Sequence, residues 1–284
     1  MKQGALRRGV AIVGAGKVGV GLAGALRGAG VRCSLRPGRA ALPAGPFDAA
    51  VLVLAVRDNG LGPLVRALID RRLVGPQIAV VHVAGALDAE VLAELRPHCA
   101  GVAQMHPMIS FADPRRPPGL RGGHAHVQGD AEAVRRARRL CQLVGLKPRT
   151  FPGLDTVAYH AAAGLVANGA AALVAAGTTL LTRAGARPGA IPHMLGPLLR
   201  SVADNVEALG MPGALTGPVR RGDPRAVLRH LETIQTLAPE LAPLYLAMVS
   251  AQIPLARRLG DAPAEAFDLL EQSLAHVDPA AHQR

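Results

Sequence analysis

The residues with the clearest chemical meaning in this chain are the glycines of a turn that runs from Gly14 to Gly19. The turn follows the apolar run Val10–Val13, a predicted strand, and leads into an apolar pattern with helical spacing. In that setting the first glycine permits the turn, the second lets a phosphate approach the backbone, and the third lets the helix pack on the strand. Amides at the helix N-terminus then bind a pyrophosphate. The sequence therefore predicts a dinucleotide site, with a turn that serves only packing as the alternative. The site comprises Gly14, Ala15, Gly16, Lys17, Val18 and Gly19.

The end of the second predicted strand indicates which dinucleotide fits. Ser34, Arg36 and Arg39 lie there, and no Asp or Glu occurs between Val31 and Pro46. A carboxylate would repel a 2′-phosphate, whereas Ser and Arg bind it through charge-assisted hydrogen bonds. We therefore predict NADP; the alternative is that these arginines only coat a surface loop. The other residues that we place in the cofactor site are Ala55 and Val56.

Two histidines lie at predicted strand ends, where open α/β sheets bind their ligands. His82 is near the end of the fourth strand, and His106 directly follows the fifth. A single histidine is more often structural, but two at equivalent ends of one cofactor domain favour a functional role. An imidazole can donate a proton or a hydrogen bond to a substrate carbonyl as a hydride arrives.

The patterns of strands and helices divide the chain into two parts. Strands alternate with helices from residue 10 to about 150, which predicts an α/β fold with a doubly wound parallel sheet of the Rossmann type. After Phe151-Pro152-Gly153 the pattern is helical without strand signals. We therefore predict a cofactor domain over 1–150 and an all-α domain over 151–284. The predicted strands after the first cover 31–35, 48–56, 78–83, 102–105 and 125–128; the predicted helices cover 18–28, 62–73, 88–95, 155–184, 188–209, 223–237, 239–259 and 264–277.

The composition weighs against two classes of partner. The formal net charge of +12 would suit nucleic acid, but the arginines are spread along the chain and only 2% of residues are aromatic, so few rings could stack on bases. We interpret the run Arg135–Arg139 as the solvated face of a helix, with a nucleic-acid-binding patch as the alternative. The three cysteines, Cys33, Cys99 and Cys141, have no metal-ligand spacing and are too few for a disulfide framework. We therefore expect no metal, no nucleic acid and a reducing cytoplasm.

One segment has the length and apolar character of a membrane span. No charged residue occurs between Asp155 and Arg183. The segment is rich in Ala and Gly, however, and contains His160 and Asn168, which are costly in lipid. We therefore predict a buried helix of a soluble protein.

Several segments resemble known protein families. His106-Pro107-Met108 is similar to a motif of prephenate dehydrogenases, and the assembly resembles the superfamily of 6-phosphogluconate dehydrogenase and ketopantoate reductase. A closer resemblance, over nearly the whole chain, is to bacterial proteins in which a Rossmann-like domain precedes a helical domain of unknown function. This resemblance implies an NADP-dependent oxidoreductase. The segments that carry it are 82–86, 106–111, 159–163 with Asn168, and 214–223.

The chain departs from these relatives in ways that change the expected chemistry. Ala84 stands where relatives often have Ser, and Gly164 stands where the β-hydroxyacid dehydrogenases place a catalytic Lys. We therefore expect His160 or His106 to donate the proton. His160 and Asn168 lie eight residues apart, about 80° around a helix, so both can face one cleft.

The segment 214–223 is expected to bind substrate. We predict that Asn168 and Thr216 orient the substrate and that Arg221 pairs with its carboxylate. In the alternative, this segment only joins helices: Asp223 caps the next helix, whose first residue is Pro224, and Arg221 bridges helices.

These features together predict an NADPH-dependent reductase of a small carbonyl or imine compound that bears a carboxylate, with ketopantoate as the most concrete substrate. A prephenate or arogenate dehydrogenase is a second possibility, and a non-catalytic NADP-binding sensor or scaffold is a third. The apolar helices after Asp155 also predict a homodimer.

Overall fold

The structure, a computed structural model, describes residues 8–277 and contains a seven-stranded sheet. In spatial order the strands are β2, β1, β3, β4, β5, β6 and β7, and β2 to β5 all run parallel to β1. Their bounds are β1 Val10–Val13, β2 Cys33–Arg36, β3 Val51–Leu54, β4 Ala79–His82, β5 Gly101–Pro107, β6 His124–Gly129 and β7 Lys147–Arg149.

Helices cover both faces of this sheet, which explains why β1, β3 and β4 are buried at every residue. Leu22 of α1 (Lys17–Gly28) and Leu140 of α3 (Ala131–Leu143) belong to the core on one face. Leu61 of α2 (Leu61–Asp70) and Leu92 of the 3-10 helix Ala89–His98 belong to the core on the other. The predicted Rossmann-type α/β fold is confirmed.

One of the predicted strands departs from the parallel arrangement of the sheet, because β6 runs antiparallel to β5. A parallel neighbour would require a crossover connection, usually helical. The segment between Pro107 and His124 contains no helix and is rich in Pro and Gly, so the chain simply turns back. Strand β7, which the sequence did not predict, then pairs parallel with β6.

The predicted helix after Asp88 is confirmed and is a 3-10 helix, which the Asp88 carboxylate caps by accepting a hydrogen bond from the amide of Glu90. One local prediction needs correction. In the arginine run of α3, Arg136 does not lie on a solvated face. Its guanidinium donates to the carbonyls of Ala50 and Gln77, and thereby ties the helix to the ends of two strands.

The chain divides into two compact units, residues 1–167 and 168–284. The division falls within α4 (Thr156–Arg183), so the first turns of this helix belong to the sheet-containing unit. The second unit has a core of its own, formed by residues such as Val227, Ile253 and Phe267. Its helices after α4 are α5 Ile191–Leu209, α6 Pro224–Leu237, α7 Ala242–Leu259 and α8 Ala264–Val277.

The expected burial of α4 is wrong within the single chain. None of its 28 residues is buried, and Leu165 and Val166 are 79% and 75% exposed. By length and composition alone, it is the one helix in residues 8–277 that could cross a membrane. Its apolar surface is therefore not covered by the chain's own core.

Candidate functional site

The three glycines of the turn lie in different structural environments. Gly14 has a φ of +118°, and a Cβ there would overlap the carbonyl of Ala55. A Cβ at Gly19 would overlap the carbonyl of Gly14, so this position is fixed by close packing of α1. A Cβ at Gly16 would meet no atom within 4 Å. Packing therefore explains Gly14 and Gly19 as predicted, but it does not explain Gly16.

The N-terminus of α1 faces this open space. Gly16 is the N-cap, no side chain caps the helix, and the first turn contains no acidic residue. Lys17 is the exposed first residue of the helix. Helix amides that no side chain caps and whose first turn has no acidic residue can bind an anion.

The strand order also places the turn at a favourable position in the sheet. β1 lies between β2 and β3, so the connections lead away from it in opposite directions, and such a switch point forms a ligand crevice. Ala55 follows β3, donates its amide to the carbonyl of Val13 and contacts the turn at Gly14 and Gly19. A Cβ at Gly38, in the loop after β2, would lie 3.1 Å from Cγ1 of Val56, so Val56 packs against this loop. Both predicted residues therefore lie beside the turn.

The end of β2 is joined to the turn, because the amide of Gly14 donates to the carbonyl of Arg36 at 2.8 Å. The guanidinium of Arg36 donates to the carbonyl of Ala41 and holds the following loop. Ser34 is exposed, and Arg39 is exposed without a hydrogen bond or ion pair to any residue in 8–277. Arg36 thus has a structural partner, whereas Ser34 and Arg39 are available to a ligand.

One acidic residue near β2, Asp48, lies just beyond the acid-free segment from Val31 to Pro46. Asp48 lines the same groove as Ser34 and Arg36. Its carboxylate is 3.0 Å from the guanidinium of Arg32, which compensates its charge.

Both ring nitrogens of His82 have backbone partners, so neither is free for the catalytic role predicted for it. It is fully buried; its Nε2 lies 2.8 Å from the carbonyl of Asp88, and its Nδ1 accepts the amide of Ala84. Burial lowers the pKa of His82, so the ring is neutral and both nitrogens are occupied. Its contribution is to hold the turn after β4 in place.

His106 and His160 are brought together over that turn. Their rings meet edge to face with centroids 5.4 Å apart. A Cβ on Gly85 would overlap Nδ1 of His160 and lie 2.8 Å from Nε2 of His106, so both imidazoles contact this glycine. Burial, together with the neighbouring histidines 160, 126 and 82, lowers the pKa of His106 to about 4. His106 is therefore a neutral imidazole at neutral pH.

Tyr159 is a member of the cluster that the sequence analysis did not select. Its hydroxyl lies 3.3 Å from Nδ1 of His106, and the two rings meet edge to face. Burial raises the pKa of the Tyr159 hydroxyl, and a hydrogen bond to the backbone of His126 opposes this effect. Its position next to His160 in the chain was the available signal.

The start of α4 is anchored at the cluster. The Asp155 carboxylate accepts the amides of Val157 and Ala158, and the Thr156 hydroxyl donates to the carbonyl of Ala86 at 3.2 Å. These contacts fix Tyr159 and His160 relative to the turn after β4.

Two further polar residues lie behind the cluster. Buried Gln104 donates to the carbonyls of Ala84 and Gly85, while its oxygen accepts from His126 and Gln128. His126, which pairs with His106 in the β5–β6 register, was also missed. Its Nδ1 makes the hydrogen bond to Gln104, and its buried Nε2 has no partner among the described residues. Burial lowers the pKa of His126 as well.

The remaining predicted site residues lie in the helical unit. Asn168, Thr216 and Arg221 are all exposed, and Arg221 makes no hydrogen bond or ion pair to any residue in 8–277. Their roles toward a substrate stay predictions.

The helix-joining interpretation of segment 214–223 is confirmed in part. The Asp223 carboxylate caps α6 by accepting the amide of Ala226 at 3.0 Å. The bridging arginine is Arg220 rather than Arg221, since it binds Asp261 and the carbonyls of Gly213 and Leu215.

Within residues 8–277, no group of three or more His, Cys, Asp or Glu side chains could hold a metal ion.

Comparison with known proteins supports this architecture. A family described as a domain of unknown function (DUF2520) matches residues 124–252, which confirms the predicted resemblance over that range. No curated protein matches the chain in sequence. The wider superfamily assignment stays a prediction.

Three solved structures share the fold. A Bacteroides fragilis protein assigned as an NADP oxidoreductase has 18% identity and a TM-score of 0.68, over 86% of this chain and 97% of that chain. A Thermotoga maritima protein has 20% identity and a TM-score of 0.65, over 88% and 98%. A reductive aminase from Aspergillus terreus, in complex with NADPH and ethyl levulinate, has 16% identity and a TM-score of 0.55, over 93% and 98%. These likenesses establish a Rossmann-like domain followed by a helical region.

Proposed function

We propose that this protein is an NADP-dependent reductase whose cofactor lies at the glycine turn and whose reacting carbon lies near His106. The observation that carries the proposal is the open space at Gly16, in front of the uncapped N-terminus of α1 at the switch point of the sheet. A pyrophosphate in that space would accept hydrogen bonds from the backbone. The similarity in fold to the A. terreus reductive aminase, which was solved with NADPH, supports the same assignment.

NADP is preferred over NAD because of the side chains at the end of β2. Ser34 and Arg39 are free to bind a 2′-phosphate, and Arg36 can add a long-range charge although its guanidinium also holds the loop. Asp48 does not oppose this preference, because Arg32 neutralises its charge.

The substrate that we propose is a small carbonyl or imine compound with a carboxylate. The cluster of His106, Tyr159 and His160 offers side chains that can hydrogen-bond to a carbonyl oxygen or imine nitrogen. Arg221, which has no partner in the described chain, is the proposed ligand of the carboxylate. Ketopantoate is a concrete carbonyl candidate, and the fold shared with a reductive aminase favours imines as the second group to test.

Two measurements test this function. Calorimetric titration should show tighter binding of NADPH than of NADH, and the double variant Ser34→Ala/Arg39→Ala should remove most of that preference. Arg116→Ala is the control, since this exposed arginine has no side-chain partner in the described residues. Substrate-dependent oxidation of NADPH is then measured across 2-oxo acids and cyclic imines. Equal affinity for the two cofactors would contradict the assignment of NADP.

We also propose that the protein works as a homodimer through α4 and α5. Besides Leu165 and Val166, α5 exposes several large apolar side chains, among them Leu198 and Leu209 at 60% and 64%. A standard interface buries about 800 Å² per partner, which a face of two long apolar helices can supply. Sedimentation at micromolar concentration should give twice the chain mass, and a monomer at all concentrations would refute the proposal.

A further inference from the structure

We propose that the Tyr159 hydroxyl donates the proton to the substrate, with His106 as the positioning residue that orients this hydroxyl. The inference deepens the proposed reductase function and rests on it. It replaces the expectation that a histidine is the donor.

The geometry points to Tyr159 because its hydroxyl is hydrogen-bonded to His106 and its helix is fixed to the sheet-containing unit. His106 Nδ1 lies 3.3 Å away at the carboxyl end of β5, the edge where open sheets bind ligands. On the other side, the start of α4 is fixed by the Asp155 cap and by the Thr156 hydrogen bond to Ala86. The ring is only half-buried, so its hydroxyl can still reach a bound molecule.

The histidines nearby are less suited to be the donor. Both nitrogens of His82 are bound to the backbone. His126 gives its Nδ1 proton to Gln104, and His106 remains neutral because it is buried beside three other imidazoles. His160 is exposed and makes no hydrogen bond to a described residue, so no hydrogen bond orients its ring toward a substrate.

The proton balance of the step is simple. A bound reduced nicotinamide would supply a hydride to the substrate carbon and become oxidised, and the C=O or C=N π electrons would move to the heteroatom. The O–H bond of Tyr159 then breaks, and its proton forms the new O–H or N–H bond. The phenolate accepts a hydrogen bond from Nδ1–H of His106 until it regains a proton from water.

The chain offers a matched control for this pair. It contains only two tyrosines, and the second, Tyr245, is also hydrogen-bonded to a histidine, His230, at 3.1 Å in the helical unit. Tyr245→Phe therefore leaves Tyr159 as the one phenol, whose ionisation can be followed by ultraviolet absorbance without cofactor or substrate.

The first experiment measures the phenol pKa in the Tyr245→Phe protein. The groups that face Tyr159 are His106 on β5, His126 on β6 and His160 beside it on α4. His106→Phe should raise the pKa of Tyr159 by about one unit or more, because the negatively charged phenolate no longer accepts a hydrogen bond from the His106 ring. His230→Phe should leave it unchanged. An unaltered Tyr159 pKa in His106→Phe would overturn the role of His106.

The second experiment measures turnover. Tyr159→Phe should lower kcat about 100-fold or more while KM and the affinity for NADPH change little, and Tyr245→Phe should behave as wild type. A kcat of Tyr159→Phe equal to that of the wild type, together with a large decrease of kcat in His160→Ala, would identify His160 as the donor and overturn the proposal. If wild-type protein reduced no compound, the proposed function would fail, and the phenol titration would still decide whether Tyr159 and His106 form the coupled pair.

Discussion

Replacing Gly16 with Ala should separate cofactor binding from folding. The backbone of Gly16 is extended, with φ −78° and ψ −172°, so an L-residue fits without strain. The new Cβ would meet no protein atom within 4 Å. Since alanine is a poorer N-cap than glycine, the free energy of unfolding should fall by no more than about 1 kcal/mol.

Binding should respond far more strongly to the same methyl group. It would stand where a phosphate must approach the amides at the start of α1. Hydrogen bonds to a charged group contribute about 1.5–3 kcal/mol each, so the loss of two would weaken NADPH binding by about 100-fold or more. Calorimetric titration with NADPH and thermal unfolding of the same sample measure both effects.

Two other glycines of α1 serve as controls for this experiment. Gly24 also has open space around it, so Gly24→Ala should bind NADPH normally and be stabilised by about 0.5–1 kcal/mol through helix propensity. Gly19→Ala should destabilise the fold itself, because its Cβ would overlap the carbonyl of Gly14. If Gly16→Ala bound NADPH as tightly as wild type, the open space would not be the pyrophosphate site.

Three further predictions concern stability and assembly. The pKa of His106 in the folded protein, about 4, lies below the ordinary value of about 6.5, so the unfolded chain binds more protons between these two pH values. The stability contribution of His106 should therefore be full above about pH 6.5 and fall as the pH drops toward 4, by about 3 kcal/mol at most. Acid titration of the unfolding free energy should show a shallower fall in His106→Gln, and an unchanged slope would contradict the assignment. Asp223→Ala should lower the free energy of unfolding, measured with denaturant, by about 1 kcal/mol, because α6 loses its N-cap. An unchanged free energy would mean that water replaces the carboxylate. Leu165→Lys should shift sedimentation toward the monomer, whereas Leu269→Lys on α8 should not, and equal behaviour of the two variants would exclude α4 from the interface.

The sequence was most informative where local patterns determine the structure. Continuous apolar runs predicted the buried parallel strands, and β1 has the predicted bounds Val10–Val13. Helix α8 likewise has its predicted bounds, Ala264–Val277. The glycine spacing predicted the turn because the close contact between Gly14 and Gly19 lies within one strand–turn–helix segment.

The predictions were wrong or incomplete where the structure depends on contacts between residues far apart in the sequence. The direction of β6 depends on a connection without a helix, and only the antiparallel register places His126 opposite His106. The contact between Tyr159 and His106 joins residues 53 positions apart, so no spacing rule could reveal it. The exposure of α4 could not be read from its composition, because an apolar helix can be covered by its own chain or by another surface.

The most direct test of the account is single-turnover oxidation of NADPH by the wild-type protein, with 2-oxo acids and cyclic imines as substrates, compared with Tyr159→Phe. The account predicts a substrate-dependent loss of nicotinamide absorbance that is at least 100-fold slower in Tyr159→Phe, although both proteins bind NADPH equally. Tight NADPH binding by wild type without oxidation by any member of the panel would contradict it.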